Sequence, residues 1–117
     1  MAYPGIYNFT YYRGDTAEFV IRPKTANGSA YNLTDYTGTF TIANRRGSTG
    51  TQYVATAVVD DVTNIITCTI TPSVGRTLGS GTYVYDVEIT NAIPNPDIIL
   101  TVLTGSITVI DDVTGAV

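Results

Sequence analysis

The chain has 117 residues, ten acidic against six basic side chains, no histidine, no tryptophan and a single cysteine. A net charge of -4 lacks the basic footprint that phosphate neutralisation requires, which argues against a nucleic-acid partner. One cysteine excludes an internal disulfide, and the absence of histidine removes the commonest general base. The length suits one domain with one core. Abundant Thr, Tyr, Val and Ile, with 11 Gly and 5 Pro, favours strands over helices.

Met1-Ala2-Tyr3-Pro4-Gly5 carries no basic region followed by an apolar one, so no secretory leader is read there. Residues 1–12 are dense in aromatics and read as an extended N-terminal arm, ahead of a single domain over 13–117. Tyr3, Pro4, Ile6, Tyr7, Phe9, Tyr11 and Tyr12 are candidate partner-binding residues, because a flexible apolar segment left uncovered is an aggregation liability. Two placements are open for it: across its own domain, or onto a neighbouring subunit. Arg13-Gly14-Asp15 spells an integrin-type tripeptide, but a polar glycine turn opening a strand accounts for it.

Period-two alternation marks the strands that follow. Thr16 to Arg22 places Ala17, Phe19 and Ile21 on one face, with Glu18, Val20 and Arg22 on the other, and Pro23 ends it. Lys24 to Asp35 is a loop turning at Asn27-Gly28, pinned to the core by Leu33 and Tyr36. Gly38 to Asn44 buries Phe40 and Ile42, the loop Arg45 to Gly50 follows, and Thr51 to Val59 alternates small Ala55 and Ala57 with Val54, Thr56 and Val58. Ile65 to Thr71 buries Ile66, Cys68 and Ile70. Pro72 to Leu78 is one helical turn between proline and glycine.

Leu78-Gly79-Ser80-Gly81-Thr82-Tyr83 has the Leu-x-x-Gly-x-Tyr form of a tyrosine corner, in which an early Tyr of a late strand hydrogen-bonds back to nearby backbone. Thr82 to Thr90 buries Tyr83, Tyr85, Val87 and Ile89, and turns Asp86 and Glu88 to water. After a Pro-rich hairpin loop, Ile98 to Ile110 is the last strand, with a bulge expected at Gly105-Ser106. That stretch is too short and too interrupted by Thr, Gly and Ser to span a bilayer as a helix. The pattern as a whole predicts an all-β, Ig-like antiparallel β-sandwich of six to seven strands.

Chemistry is thin along this frame. Asp60-Asp61-Val62-Thr63 recurs as Asp111-Asp112-Val113-Thr114, yet calcium needs six to eight converging oxygens, and such pairs serve as solvated turns. Glu18 and Glu88, on water-facing positions, do not make a glycosidase pair. Three Asn-x-Ser/Thr triplets, at Asn8, Asn27 and Asn32, are expected unmodified in a chain read without a leader. The expectation is no enzyme, no metal and no cofactor. Arg45 and Arg46 are added to the candidate partner-binding residues, since with Arg76 they would form a basic spot able to take a partner carboxylate.

Tyr12-Arg13-Gly14-Asp15-Thr16-Ala17-Glu18-Phe19-Val20-Ile21, Asn32-Leu33-Thr34-Asp35-Tyr36, Thr39-Phe40-Thr41-Ile42, the Leu78 to Val87 corner and Leu103 to Val109 resemble small tailed-bacteriophage virion proteins with an Ig-like β-sandwich. The resemblance implies a non-enzymatic capsid decoration (cement) protein, made in the host cytoplasm and bound outside the capsid shell. Its partners would be the major capsid protein or other virion proteins and further copies of itself, a trimer around a local three-fold axis being one arrangement. Alternatives are a tail, baseplate or head-tail connector component, or a host-surface or carbohydrate-binding module stacking sugars on Tyr31 or Tyr53. Neither a membrane nor a nucleic acid enters this picture.

Overall fold

The computed structural model describes residues 5–47, 51–94, 96–111 and 113. Its elements are β1 (Gly5–Ile6), β2 (Phe9–Tyr12), β3 (Ala17–Ile21), β4 (Thr37–Ala43), β5 (Gln52–Asp60), β6 (Ile65–Ile70), α1 (Pro72–Gly75), β7 (Gly81–Asn91) and β8 (Ile98–Ile110). The all-β reading holds, and the strands lie within a residue or so of the alternating segments. One curled sheet runs in the order β1-β8-β7-β4-β5-β6-β3, with β2 also on β8. β5 turns the corner: up to Ala55 it pairs with β4, and from Thr56 onward with β6. Small side chains permit this bend, since a methyl group on Gly38 would meet the Ala57 Cβ at 3.2 Å.

Two features of the predicted sandwich are corrected. The sheet is mixed, because β1 and β2 run parallel to β8. Gly5–Tyr12 is therefore part of the domain rather than an arm preceding a domain that starts at Arg13. From β2 the Arg13-Gly14-Asp15 turn carries the chain to β3, which pairs with β6 and not with β2 or β8. The bulge also lies elsewhere. The register of β7 against β8 slips between Val87 and Glu88, which leaves Val102 unpaired and buried, whereas Gly105 pairs regularly with Tyr85.

Gly105 has a different role. The link between β1 and β2 passes over it, so that a side chain there would overlap the Tyr7 carbonyl, whose carbon lies 2.8 Å from the position a Cβ would take. The same carbonyl accepts the Tyr85 hydroxyl at 2.6 Å, and Asn8 Oδ1 accepts the Ser106 amide at 2.9 Å. Around Tyr85 the rings of Phe9, Phe19 and Phe40 pack edge-on or tilted, with centroids 5.4 to 6.1 Å apart. This geometry suits aromatic quadrupoles and draws residues from β2, β3, β4 and β7 into one cluster. Cys68 is fully buried beside it, and burial pushes its thiol up to about 12, so it acts as a small hydrophobe.

The corner before β7 forms as the sequence predicts: the Gly79 amide donates to the Tyr83 hydroxyl at 2.9 Å, and Leu78 is fully buried. α1 supplies the turn, with the Thr71 hydroxyl accepting the Val74 amide at its N-terminus. Leu33 is likewise fully buried, its amide donating to Asn64 Oδ1 at 3.0 Å, while Tyr36 packs against the core.

Candidate functional site

Alternation on β2 divides the aromatic segment between core and solvent. Phe9 and Tyr11 point inward; Tyr11 is only 2% exposed, and its hydroxyl donates to the Asp15 carbonyl at 2.7 Å. That hydroxyl also sits where a Cβ on Gly75 would be, which is why the turn carries glycine there. These two candidate partner-binding residues are thus spent on folding. Ile6 and Tyr12 remain outside, 77% and 53% exposed, and Tyr7 shows one side to solvent while its ring stacks on Phe9 at 5.3 Å. Tyr3 and Pro4 lie outside the described residues.

Register places the exposed members on one surface. Ile6 pairs with Thr104, Thr10 with Thr108 and Tyr12 with Ile110, so their outward side chains share the outer face of the layer formed by β1, β2, β8, β7 and β4. Arg46 reaches the same face from the β4–β5 loop and donates to the Thr104 hydroxyl at 2.7 Å. Arg45 and Arg46 line a hollow of about 270 Å³ there with Thr41, Gln52, Asp86 and Glu88. Predicted residues from two distant segments, Ile6 and Arg46, therefore meet at Thr104.

Two residues of this face escaped the sequence reading as members of a site. Asp86 and Glu88 were expected simply to face water, but they are half-buried in the hollow beside the arginines. Their spacing was the available signal, since positions two apart on a strand share a face. Arg76 does not join them. It lies against Gly14, while Arg13 donates to the Arg76 and Leu78 carbonyls at 2.7 and 2.9 Å. The Arg13-Gly14-Asp15 turn, with Gly14 at φ +90°, is accordingly a brace for the tyrosine corner.

The tyrosines proposed as sugar platforms are occupied otherwise. Tyr31 meets the Tyr36 edge at 5.8 Å with their hydroxyls 2.9 Å apart, and Tyr53 meets Tyr83 at 6.0 Å. Burial and the Tyr31 hydrogen bond push Tyr36 up to about 12. Asp60 accepts the Val62 and Thr63 amides, and these hold its carboxyl below the usual range; it is a turn residue. Among the described residues no three His, Cys, Asp or Glu side chains are grouped to hold a metal.

No family model and no curated protein matches the chain. Among solved structures, one that it resembles is a family 123 glycoside hydrolase from Clostridium perfringens, at 14% identity and a TM-score of 0.40. The match covers 93% of this chain and 23% of the hydrolase, so the chain spans under a quarter of that enzyme.

Proposed function

We propose that this chain is a non-enzymatic structural protein of a tailed-bacteriophage virion, docking on the outside of the capsid shell as a decoration protein. The observation that carries the reading is the outer face just described. The face presents exposed Ile6, Tyr12 and Ile110 together with a hollow in which Asp86 and Glu88 of β7 meet Arg45 and Arg46 of the β4–β5 loop. Apolar anchors beside fixed charges suit a contact repeated many times on a lattice, where hydrophobic burial supplies affinity and the charges set register. The sequence resemblance supports the same reading.

Copy number in purified particles tests it. Hundreds of copies per particle fit decoration; a few to dozens would move the chain to the tail or baseplate, and absence from particles would remove it from the virion altogether. Removing the whole N-terminal segment is a poor probe, because Phe9 and Tyr11 belong to the core. The informative variant is Tyr12→Glu, which leaves the fold intact and lowers occupancy of the shell by about tenfold if this face docks.

A further inference from the structure

We propose that β3 is the contact strand of a two-fold homodimer, pairing antiparallel with β3 of a second copy about Val20. β3 ends the sheet: among the described residues its only strand partner is β6, and no strand pairs with its other edge. Edges of this kind are normally blunted by a proline, a bulge or a lysine, and Ala17–Ile21 has none of these. Its outward residues are Glu18, Val20 and Arg22, all exposed. Among the described residues neither Glu18 nor Arg22 has an ion-pair partner.

Charge selects both the partner and the register. In an antiparallel pair, residues directly opposite share a face, so a two-fold axis must pass through a residue position. Centred on Val20, the axis sets Glu18 against Arg22 of the second copy and Arg22 against its Glu18, with Val20 on Val20 between them. Centred on Phe19, it sets Glu18 against Val20 and pairs no charges. Centred on Ile21, it sets Val20 against Arg22 and likewise pairs no charges among these outward residues. Of these registers only the one centred on Val20 matches opposite charges among them.

The neighbouring surface fits the same occupant. Between β3 and the β1–β8 edge lies a mainly apolar groove lined by Tyr7, Phe19, Val20, Ile21, Arg22 and Leu103. A strand added to β3 would roof it and would extend the row Val58–Thr67–Val20 across the axis. An edge complementary to itself defines an isologous two-fold contact, not a three-fold one. The pairing is independent of where in a particle the chain sits, so it is tested in free solution.

The full chain is followed by sedimentation equilibrium across a concentration series, where a reversible dimer is expected. Glu18→Arg or Arg22→Glu alone turns two attractive pairs into two repulsive ones and weakens association about tenfold or more. The double variant E18R/R22E restores the pairing. Val20→Cys forms a dimer-linking disulfide on mild oxidation, since residues opposite each other have Cβ atoms about 5 Å apart. Circular dichroism of each variant confirms that it folds. A monomer at every concentration, a trimer, single reversals that leave association unchanged, a double variant that fails to restore it, or an unlinked Val20→Cys would each overturn the proposal.

Discussion

The two ends of the curled sheet are built on opposite principles. At the first, β1 and β2 are short, separated by a link that crosses Gly105, and tied down by the Tyr85 and Asn8 hydrogen bonds and by the buried ring of Tyr11. At the second, β3 is continuous and straight in register, with charged side chains outward and, among the described residues, no strand paired on its outer edge. A broken, bolted edge offers little ladder to another chain. An unbroken edge with self-matching charges offers one that is selective. The contrast separates residues that hold the fold from residues free to serve assembly, though both groups lie on strands with the same alternating pattern.

Breaking the bolted edge has the largest expected effect. Gly105→Ala forces the Tyr7 carbonyl off β8, and backbone has little room to yield; a loss of about 3 kcal/mol is expected in urea unfolding. A loss under about 0.5 kcal/mol would show that the N-terminal link is not seated on Gly105.

Tyr85→Phe keeps the ring and removes one buried hydrogen bond, so about 1 to 2 kcal/mol is expected. The same site gives the edge a pH signature. Burial raises Tyr85 above its ordinary 10.0 and Cys68 from 9.0 to about 12. For such groups the folded state keeps protons that the unfolded chain releases. Stability is fully present below about pH 9 and falls as the pH rises from there through the folded-state values. Tyr85→Phe should reduce that alkaline loss, as measured by urea titrations between pH 8 and about 11.

The smallest effect belongs to the open edge. Glu18→Arg changes an exposed side chain without an intramolecular partner among the described residues, so the stability of the monomer should move by no more than about 0.5 kcal/mol. A larger loss would mean that Glu18 supports the fold, and the distinction between the two ends would then fail.

Much of the frame was legible because its signals are local. Alternation located β3, β4, β5, β6, β7 and β8; Asn27-Gly28 marked a turn, and the Leu78 to Tyr83 spacing marked the corner. The candidate face was legible only in part. Exposure of Tyr12 and burial of Phe9 and Tyr11 differ by which face of one strand they occupy, and the aromatic density of the N-terminal segment did not reveal the strands at Gly5–Ile6 and Phe9–Tyr12. Asp86 and Glu88 looked like ordinary water-facing charges, since their meeting with Arg45 and Arg46 depends on a loop folding back over the sheet.

By itself the sequence determined the all-β class, the absence of histidine and disulfide chemistry, and the inward and outward faces of most strands, since side-chain period and composition are local properties. Only the tertiary structure decided that the N-terminal residues run parallel to β8, that Gly105 and Gly75 make room for Tyr7 and Tyr11, and that β3 is left as an open edge. Each of those outcomes depends on which distant strands become neighbours. That choice follows from packing one core around Tyr85, where residues from four strands meet.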